Sequence, residues 1–125
     1  MADLSDKYAL LVDRLYRNTI VDKIIWELDR GGVPLTKISD KTIRVSKSLN
    51  SDGQPLVVVT VYGESGSAIE SFNDEFLTSI SPPDSDFMTY WAKMEALHQL
   101  AIRRATGADK ALDELLRDLD DKNLA

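Results

Sequence analysis

A run of seven mostly β-branched residues near the middle of the chain, all but one of them apolar, constrains its fold more than any other segment. The run extends from Leu56 to Tyr62, and four of its residues are valine. Side chains of this kind favour strands, and so short a run between turn residues is typical of a strand buried within a sheet. We therefore expect residues 55–62 to form the central strand of a sheet.

Segments on both sides of this run are predicted to be its neighbours. Residues 41–48 alternate between two faces and are separated from the central run by the turn-rich residues 50–53. Residues 64–67 form a second turn signal, which leads into 68–72. Strands joined by such short turns are antiparallel. The prediction is a three-stranded antiparallel β-meander.

The N-terminal segment has the spacing of a helix. Ser5 is a candidate N-cap, and Gly31-Gly32 and Pro34 end any helix that reaches them. A stripe at spacings of three and four is formed by Tyr8, Leu11, Val12, Leu15 and Thr19. Ile20, Val21, Ile24, Ile25 and Leu28 could continue it. A helix over 5–29 and a helix broken near Thr19 both fit this pattern.

The C-terminal third returns to helical spacing. Pro82-Pro83 precedes three candidate caps, Asp84, Ser85 and Asp86, and the pattern predicts helices at 86–106 and 109–120 with Gly107 between them. The apolar face of the first helix contains Phe87, Tyr90, Trp91, Met94, Leu97, His98, Ala101 and Ala105. The second helix has a compact stripe of Leu112, Leu115, Leu116 and Leu119. The fold class is α+β, a single domain with the sheet flanked by N-terminal and C-terminal helices.

Length and composition limit the class of protein. The chain has 125 residues, no cysteine and a formal net charge of −6. One domain with one core is expected at this length, and a chain without thiols has no disulfides and no thiolate metal site. No apolar run is long enough for a membrane span, and the acidic balance disfavours non-specific nucleic-acid binding. We expect a cytoplasmic protein.

Charge is unevenly distributed along the chain. Residues 30–47 have a local net charge of +4, and residues 64–86 have one of −6. A meander places the two segments on opposite sides of its central strand, which would polarise the sheet face. We expect this face to bind another protein through Arg44 and Lys47, with Glu70 on the acidic side; ordinary solvated charges are the alternative interpretation.

The two tryptophans have different predicted roles. Trp91 lies within the apolar stripe of the first C-terminal helix and is expected in the core. Trp26 precedes a charged turn, and we expect it to be partly exposed at the protein-interaction site.

Motifs for catalysis are weak. The single histidine, His98, lies on an apolar helix face, where a structural role is the simpler interpretation, and Glu95 is the one carboxylate within helical reach. The chain has no phosphate loop and no serine-hydrolase elbow. We therefore expect no enzymatic activity, no metal and no cofactor.

Arg103 and Arg104 are the second candidate site. Adjacent helical residues point about 100° apart, so one of the pair faces outward, with Gln99 or Lys93 nearby. Arginine forks suit phosphate and carboxylate groups. The alternative function is therefore a small-molecule binder that sequesters an anionic nucleotide or signal through this pair and His98. Pairing with carboxylates of the first or last helix is the structural interpretation.

The order of these landmarks resembles that of small bacterial and prophage-encoded helix–meander–helix proteins. The resemblance depends on the opening helix around 8–12, on Thr19, on Ile24-Ile25-Trp26-Glu27 and on Ala101-Ile102-Arg103-Arg104-Ala105 with Gly107. It implies a bacterial or phage origin and no particular activity.

The function that these features favour is non-enzymatic. We expect an adaptor or inhibitor that binds another protein. A sheet covered on one face leaves its other face and its edges open, so we also expect a homodimer or small homo-oligomer.

Overall fold

The N-terminal helix ends at the first of its two predicted positions. The computed structural model describes residues 3–121, in which α1 spans Leu4–Ile20. Its N-cap is Asp3 rather than Ser5, because the Asp3 and Asp6 side chains each accept a hydrogen bond from the other's backbone N–H in a capping box.

A Schellman motif ends α1. Asp22 adopts a left-handed φ of 57°. Its N–H donates to the Thr19 carbonyl at 3.1 Å, and the Lys23 N–H donates to the Asn18 carbonyl at 2.8 Å. The prediction of helix over 20–29 is therefore wrong.

Two strands follow that the sequence analysis did not predict. β1 spans Trp26–Leu28 and β2 spans Pro34–Ile38, and they pair antiparallel. The Asp29 side chain closes their turn by accepting hydrogen bonds from the N–H groups of Gly31 and Val33. Pro34 is tolerated because it is the first residue of its strand.

The three predicted strands are confirmed. β3 spans Lys41–Leu49, β4 spans Pro55–Tyr62 and β5 spans Ala68–Asn73. The sheet has five strands rather than three, in the antiparallel order β1-β2-β3-β4-β5. β4 lies between β3 and β5 as predicted, but β3 is the middle strand of the complete sheet.

One face of the sheet, the inner face, is covered by helices. Val45 pairs with Val59, and Val59 pairs with Phe72, so these three side chains lie together on it. Tyr8 of α1 stacks on Phe72 with ring centroids 4.1 Å apart. The core consists of Tyr8, Ala9, Val12, Leu15, Trp26, Ile43, Val45, Val57, Val59, Phe72, Leu77, Tyr90, Met94, Leu97 and Ala101.

Two helices complete the described chain after a short 3₁₀ helix at Asp74–Leu77. α2 spans Tyr90–Thr106 and α3 spans Ala108–Asp121. The N-cap of α2 is Thr89, whose hydroxyl accepts a hydrogen bond from the Ala92 N–H at 3.1 Å, so the predicted start at residue 86 is four residues early. α2 packs against α1 and the sheet, whereas α3 contacts the end of α2. Within residues 3–121, no helix is long and apolar enough to cross a membrane.

Candidate protein-interaction site

α3 is a helix whose apolar face has no cover within the described chain. Leu112, Leu115, Leu116 and Leu119 are 50%, 57%, 64% and 56% exposed. Their spacing of three, one and three residues places them on one side of the helix. Every residue from 110 to 120 is exposed, so α3 contributes nothing to the core.

Carboxylates border the leucine face of α3. At about 100° per residue, Asp113 and Asp120 lie along one edge of the leucine face and Asp118 along the other. None of these three forms an ion pair within residues 3–121. The surface is therefore an apolar strip with an acidic border.

The junction between α2 and α3 orients this surface. Gly107 ends α2 with a left-handed φ of 70°, which permits a sharp change of direction. Arg103 Nε donates to Asp109 Oδ1 at 3.0 Å, and Arg104 Nη1 donates to Asp109 Oδ2 at 2.8 Å. The hydrogen bonds from Arg103, and the charges of both arginines, hold the pKa of Asp109 below its ordinary value.

The same contacts bear on the predicted anion site. Arg104 Nε also lies 2.9 Å from Asp22 Oδ1, without hydrogen-bond alignment. The two guanidinium groups thus have carboxylates of this chain beside them, in a surface groove of about 360 Å³. This is the structural interpretation of the arginine pair.

His98 is placed with other residues than the arginine pair. It is partly buried on α2, near Lys47 and Glu95. Burial, and secondarily the Lys47 charge, lowers the pKa of His98. Five residues separate it from Arg103, which on a helix means about 7.5 Å of rise and a different face. The proposed grouping of His98 with the arginines therefore lacks geometric support.

Arg44, Lys47 and Glu70 do not form one charged sheet face. Arg44 and Lys47 are three residues apart on β3, so they point to opposite faces. Arg44 Nε donates to Asp29 Oδ2 at 2.8 Å, on the face away from the helices. The amide N–H of Val33 and the Arg44 guanidinium hold the pKa of Asp29 below its ordinary value.

Lys47 and Glu70 lie on the inner, helix-covered face. Lys47 Nζ donates to Glu95 Oε1 at 2.8 Å and lowers the pKa of that carboxyl group. Glu70 accepts a hydrogen bond from the Tyr8 hydroxyl at 2.9 Å. Burial and this carboxylate raise the pKa of Tyr8. The charge polarity of the sequence is therefore divided among separate ion pairs and hydrogen bonds.

The two tryptophans exchange their predicted environments. Trp26 is 4% exposed, and its Nε1 donates to Thr19 Oγ1 at 2.8 Å, so it belongs to the core and not to an exposed interface. Trp91 is 41% exposed and lines a surface groove near Leu56. The prediction for Trp26 was wrong because residues 20–29 were interpreted as helix, whereas the β1 strand directs the Trp26 side chain into the core.

Sequence analysis missed a buried lysine, because it placed Lys93 on the outer side of α2. The Lys93 side chain is 2% exposed, and its Nζ donates to Asp13 Oδ1 at 2.7 Å and to Asp84 Oδ1 at 2.6 Å. Tyr90 also donates to Asp13, at 2.9 Å, and burial together with this carboxylate raises the Tyr90 pKa. The spacing of Lys93 could have indicated its burial, because it follows Tyr90 by three residues and therefore lies on the buried stripe of α2.

This lysine joins α1, the loop before α2 and α2 itself. The ammonium group donates hydrogen bonds to the carboxylates of Asp13 and Asp84, and the Tyr16 ring lies 5.6 Å from Nζ. Removing one member of such a buried network leaves the others uncompensated, so Lys93 has a structural role in joining these three parts of the chain. Residues 3–121 contain no group of three or more His, Cys, Asp or Glu side chains that could hold a metal ion.

Comparisons with known proteins return no match. No family model, no curated protein and no solved structure matches this chain. The resemblance to bacterial and prophage-encoded proteins, and the origin it implies, therefore stay predictions.

Proposed function

We propose that this chain is a non-enzymatic protein-interaction module, an adaptor or inhibitor, that binds through the leucine face of α3. The observation that carries the proposal is the exposure of Leu112, Leu115, Leu116 and Leu119 at 50–64%. A buried leucine contributes about 1.5–3 kcal/mol relative to an exposed one, so covering the exposed halves of four leucines provides about 4 kcal/mol before association costs.

The length of α3 supports this proposal. A helix of 14 residues is marginal in water on its own, and tertiary packing normally supplies its stability. In α3, that packing is limited to the junction with α2. A partner that covers the leucine face would supply the missing contacts, in the manner of an amphipathic helix seated in a groove.

The acidic border of the leucine face indicates what kind of surface the partner presents. Asp113, Asp118 and Asp120 favour a groove that is apolar in its centre and has arginine or lysine at its edges. Charge complementarity of this kind increases the association rate and excludes acidic partners. The alternative function, an anion binder at Arg103 and Arg104, is not favoured by any comparable observation, because Asp22 and Asp109 already lie against those guanidinium groups.

The test is site-specific photo-cross-linking in a lysate of the native host. Leu116 is replaced by a benzoyl-phenylalanine in the full chain, and Ile69, which is 57% exposed on β5, receives the same residue as a matched control. We expect position 116 to form a covalent adduct with a polypeptide that position 69 does not form, and the adduct to disappear when Leu112 and Leu115 are changed to Gln.

Two results would contradict the proposal. One is the absence of any polypeptide adduct at position 116. The other is an adduct that forms equally at positions 69 and 116 and is unaffected by L112Q/L115Q, since contact would then be non-specific. Circular dichroism of each variant checks that its helical content is retained.

A further inference from the structure

The outward face of α1 has the features that the leucine face of α3 requires. Lys7, Leu10, Arg14 and Arg17 follow each other at spacings of three and four, opposite the buried Val12. All four are exposed. Within residues 3–121, Lys7, Arg14 and Arg17 form no ion pair. α1 therefore presents unpaired cations around one exposed apolar side chain, that of Leu10.

Arg14 stands between two depressions, and the smaller of them is apolar and can receive a leucine side chain. One, of about 80 Å³, has a largely apolar lining of Leu11, Leu15, Ile24 and Ile38, with Asn18 at its edge. The other, of about 490 Å³, is mainly charged: Leu10 and Pro83 border it together with Arg17 and the ion-paired Asp13, Asp84 and Lys93. The apolar hollow lies beside the basic side chains of α1, as the leucines of α3 lie beside its acidic side chains, so the two surfaces are complementary.

The spacing of the charges matches as well as their sign. Asp113 and Asp120 are seven residues apart on α3, and Lys7 and Arg14 are seven residues apart on α1, about 10.5 Å in each helix. An antiparallel contact sets Asp120 beside Lys7 and Asp113 beside Arg14. This direction also pairs the helix dipoles favourably.

We propose that the polypeptide bound by α3 is a second copy of this chain, and that α3 of each copy lies on α1 of the other. The inference rests on the proposed function and names its partner. The contact is made twice in a two-fold dimer, so it closes without leaving either leucine face exposed. Pairing of α3 with α3 of the second copy is disfavoured, because Asp113 and Asp118 border both surfaces and like charges would meet.

Charge reversal tests this assignment in the full-length protein. In one variant Arg14 and Arg17 become Glu, and in the other Asp113, Asp118 and Asp120 become Lys. All five residues are exposed, so neither variant changes the core. Each variant alone places like charges across both contacts, and we expect its dimer dissociation constant to rise at least tenfold.

An equimolar mixture of the two variants provides the matched control. Acidic α1 then meets basic α3, and basic α1 meets acidic α3, so both contacts are restored. Sedimentation velocity should show wild type as a dimer at about 100 μM, each variant as a monomer, and the mixture as a dimer again. The L115Q/L116Q variant on its own, which keeps all the charges, should also be a monomer at this concentration.

The outcomes separate this inference from the proposed function. A wild-type monomer at that concentration overturns the second-copy assignment, while an adduct of Leu116 with a different protein would leave the proposed function standing. A dimer that persists in the Arg14 and Arg17 variant but is lost in L115Q/L116Q would mean that α3 pairs with α3, which also overturns it. A dimer unaffected by every variant would form through another surface, which overturns the second-copy assignment and leaves the proposed function to the cross-link at position 116.

Discussion

Lys93 illustrates how one residue can connect three parts of the molecule. Its ammonium group is the cation between Asp13 of α1 and Asp84 of the loop before α2. Removing one partner of a buried ion pair leaves the other groups uncompensated, which costs far more than the pair contributes relative to apolar packing. Removing Lys93 is therefore expected to destabilise the fold strongly, even though the ion pairs themselves add little free energy relative to apolar packing.

Replacement of Lys93 by Met should lower the free energy of unfolding by about 3 kcal/mol, because two carboxylates then face each other without a cation. The matched control is Lys47→Met, which removes the same group from an ion pair whose lysine side chain is 41% exposed. That change should cost less than about 1 kcal/mol. Urea denaturation followed by circular dichroism measures both, and equal losses would contradict the structural role assigned to Lys93.

His98 gives stability a pH dependence of known sign. Burial and Lys47 lower its pKa in the folded state below the ordinary histidine value of about 6.5, so the unfolded chain binds the proton more readily. The stabilisation that this provides is present above about pH 6.5 and is lost as pH falls through the folded pKa. It is the chain's single histidine, so its contribution can be isolated.

His98→Gln should therefore flatten the dependence of unfolding free energy on pH between about 7.5 and 5.5, a range above most carboxyl titration. Wild type should lose stability across this range, by no more than about 1.4 kcal/mol per pH unit for one proton. Denaturation midpoints at a series of pH values measure it. A wild-type profile as flat as that of H98Q would show that the histidine is not desolvated in the folded protein.

Among the elements, those with strong local signals could be predicted from the sequence. The β3, β4 and β5 strands are defined by alternation and turn residues, and α3 by its leucine spacing and by Gly107. The sequence left two ends open for α1 and could not decide between them, because the left-handed residue of its Schellman motif is Asp22 rather than a glycine. The chain from Ile20 to Leu28 keeps apolar residues at helical spacing, so periodicity alone cannot distinguish it from a turn followed by a strand.

The candidate site was predictable only in part, for a related reason. The leucine stripe of α3 was visible in the sequence, but an amphipathic pattern does not say whether its apolar face is covered by its own chain. Conversely, Arg44 and Lys47 are close in sequence and charge, yet the two-residue alternation of a strand directs them to opposite faces. Whether the apolar face of α3 is covered, and what Arg44 and Lys47 contact, depends on contacts between residues far apart in the sequence. Such contacts cannot be inferred from the pattern of a single sequence.

For the molecule as a whole, the structure divides the described chain into a packed body and an attached helix. The body contains every core residue, from Tyr8 to Ala101, whereas α3 is held by Asp109 and the junction at Gly107. We therefore expect the body to fold without α3. Removal of α3, the proposed binding element, should then leave the fold intact.

Deleting residues 108–125 should change the free energy of unfolding at about 1 μM protein by no more than about 1 kcal/mol, because exposed ion pairs such as those of Asp109 contribute little. Leu77→Ala, which empties a fully buried position, should cost about 3 kcal/mol in the same assay.

If α3 docks on a second copy, the melting temperature of the full chain rises with protein concentration, and that of the shortened chain does not. Loss of the body's cooperative unfolding on deletion of α3 would show instead that the helix belongs to the core, and its leucines would no longer be available to a partner.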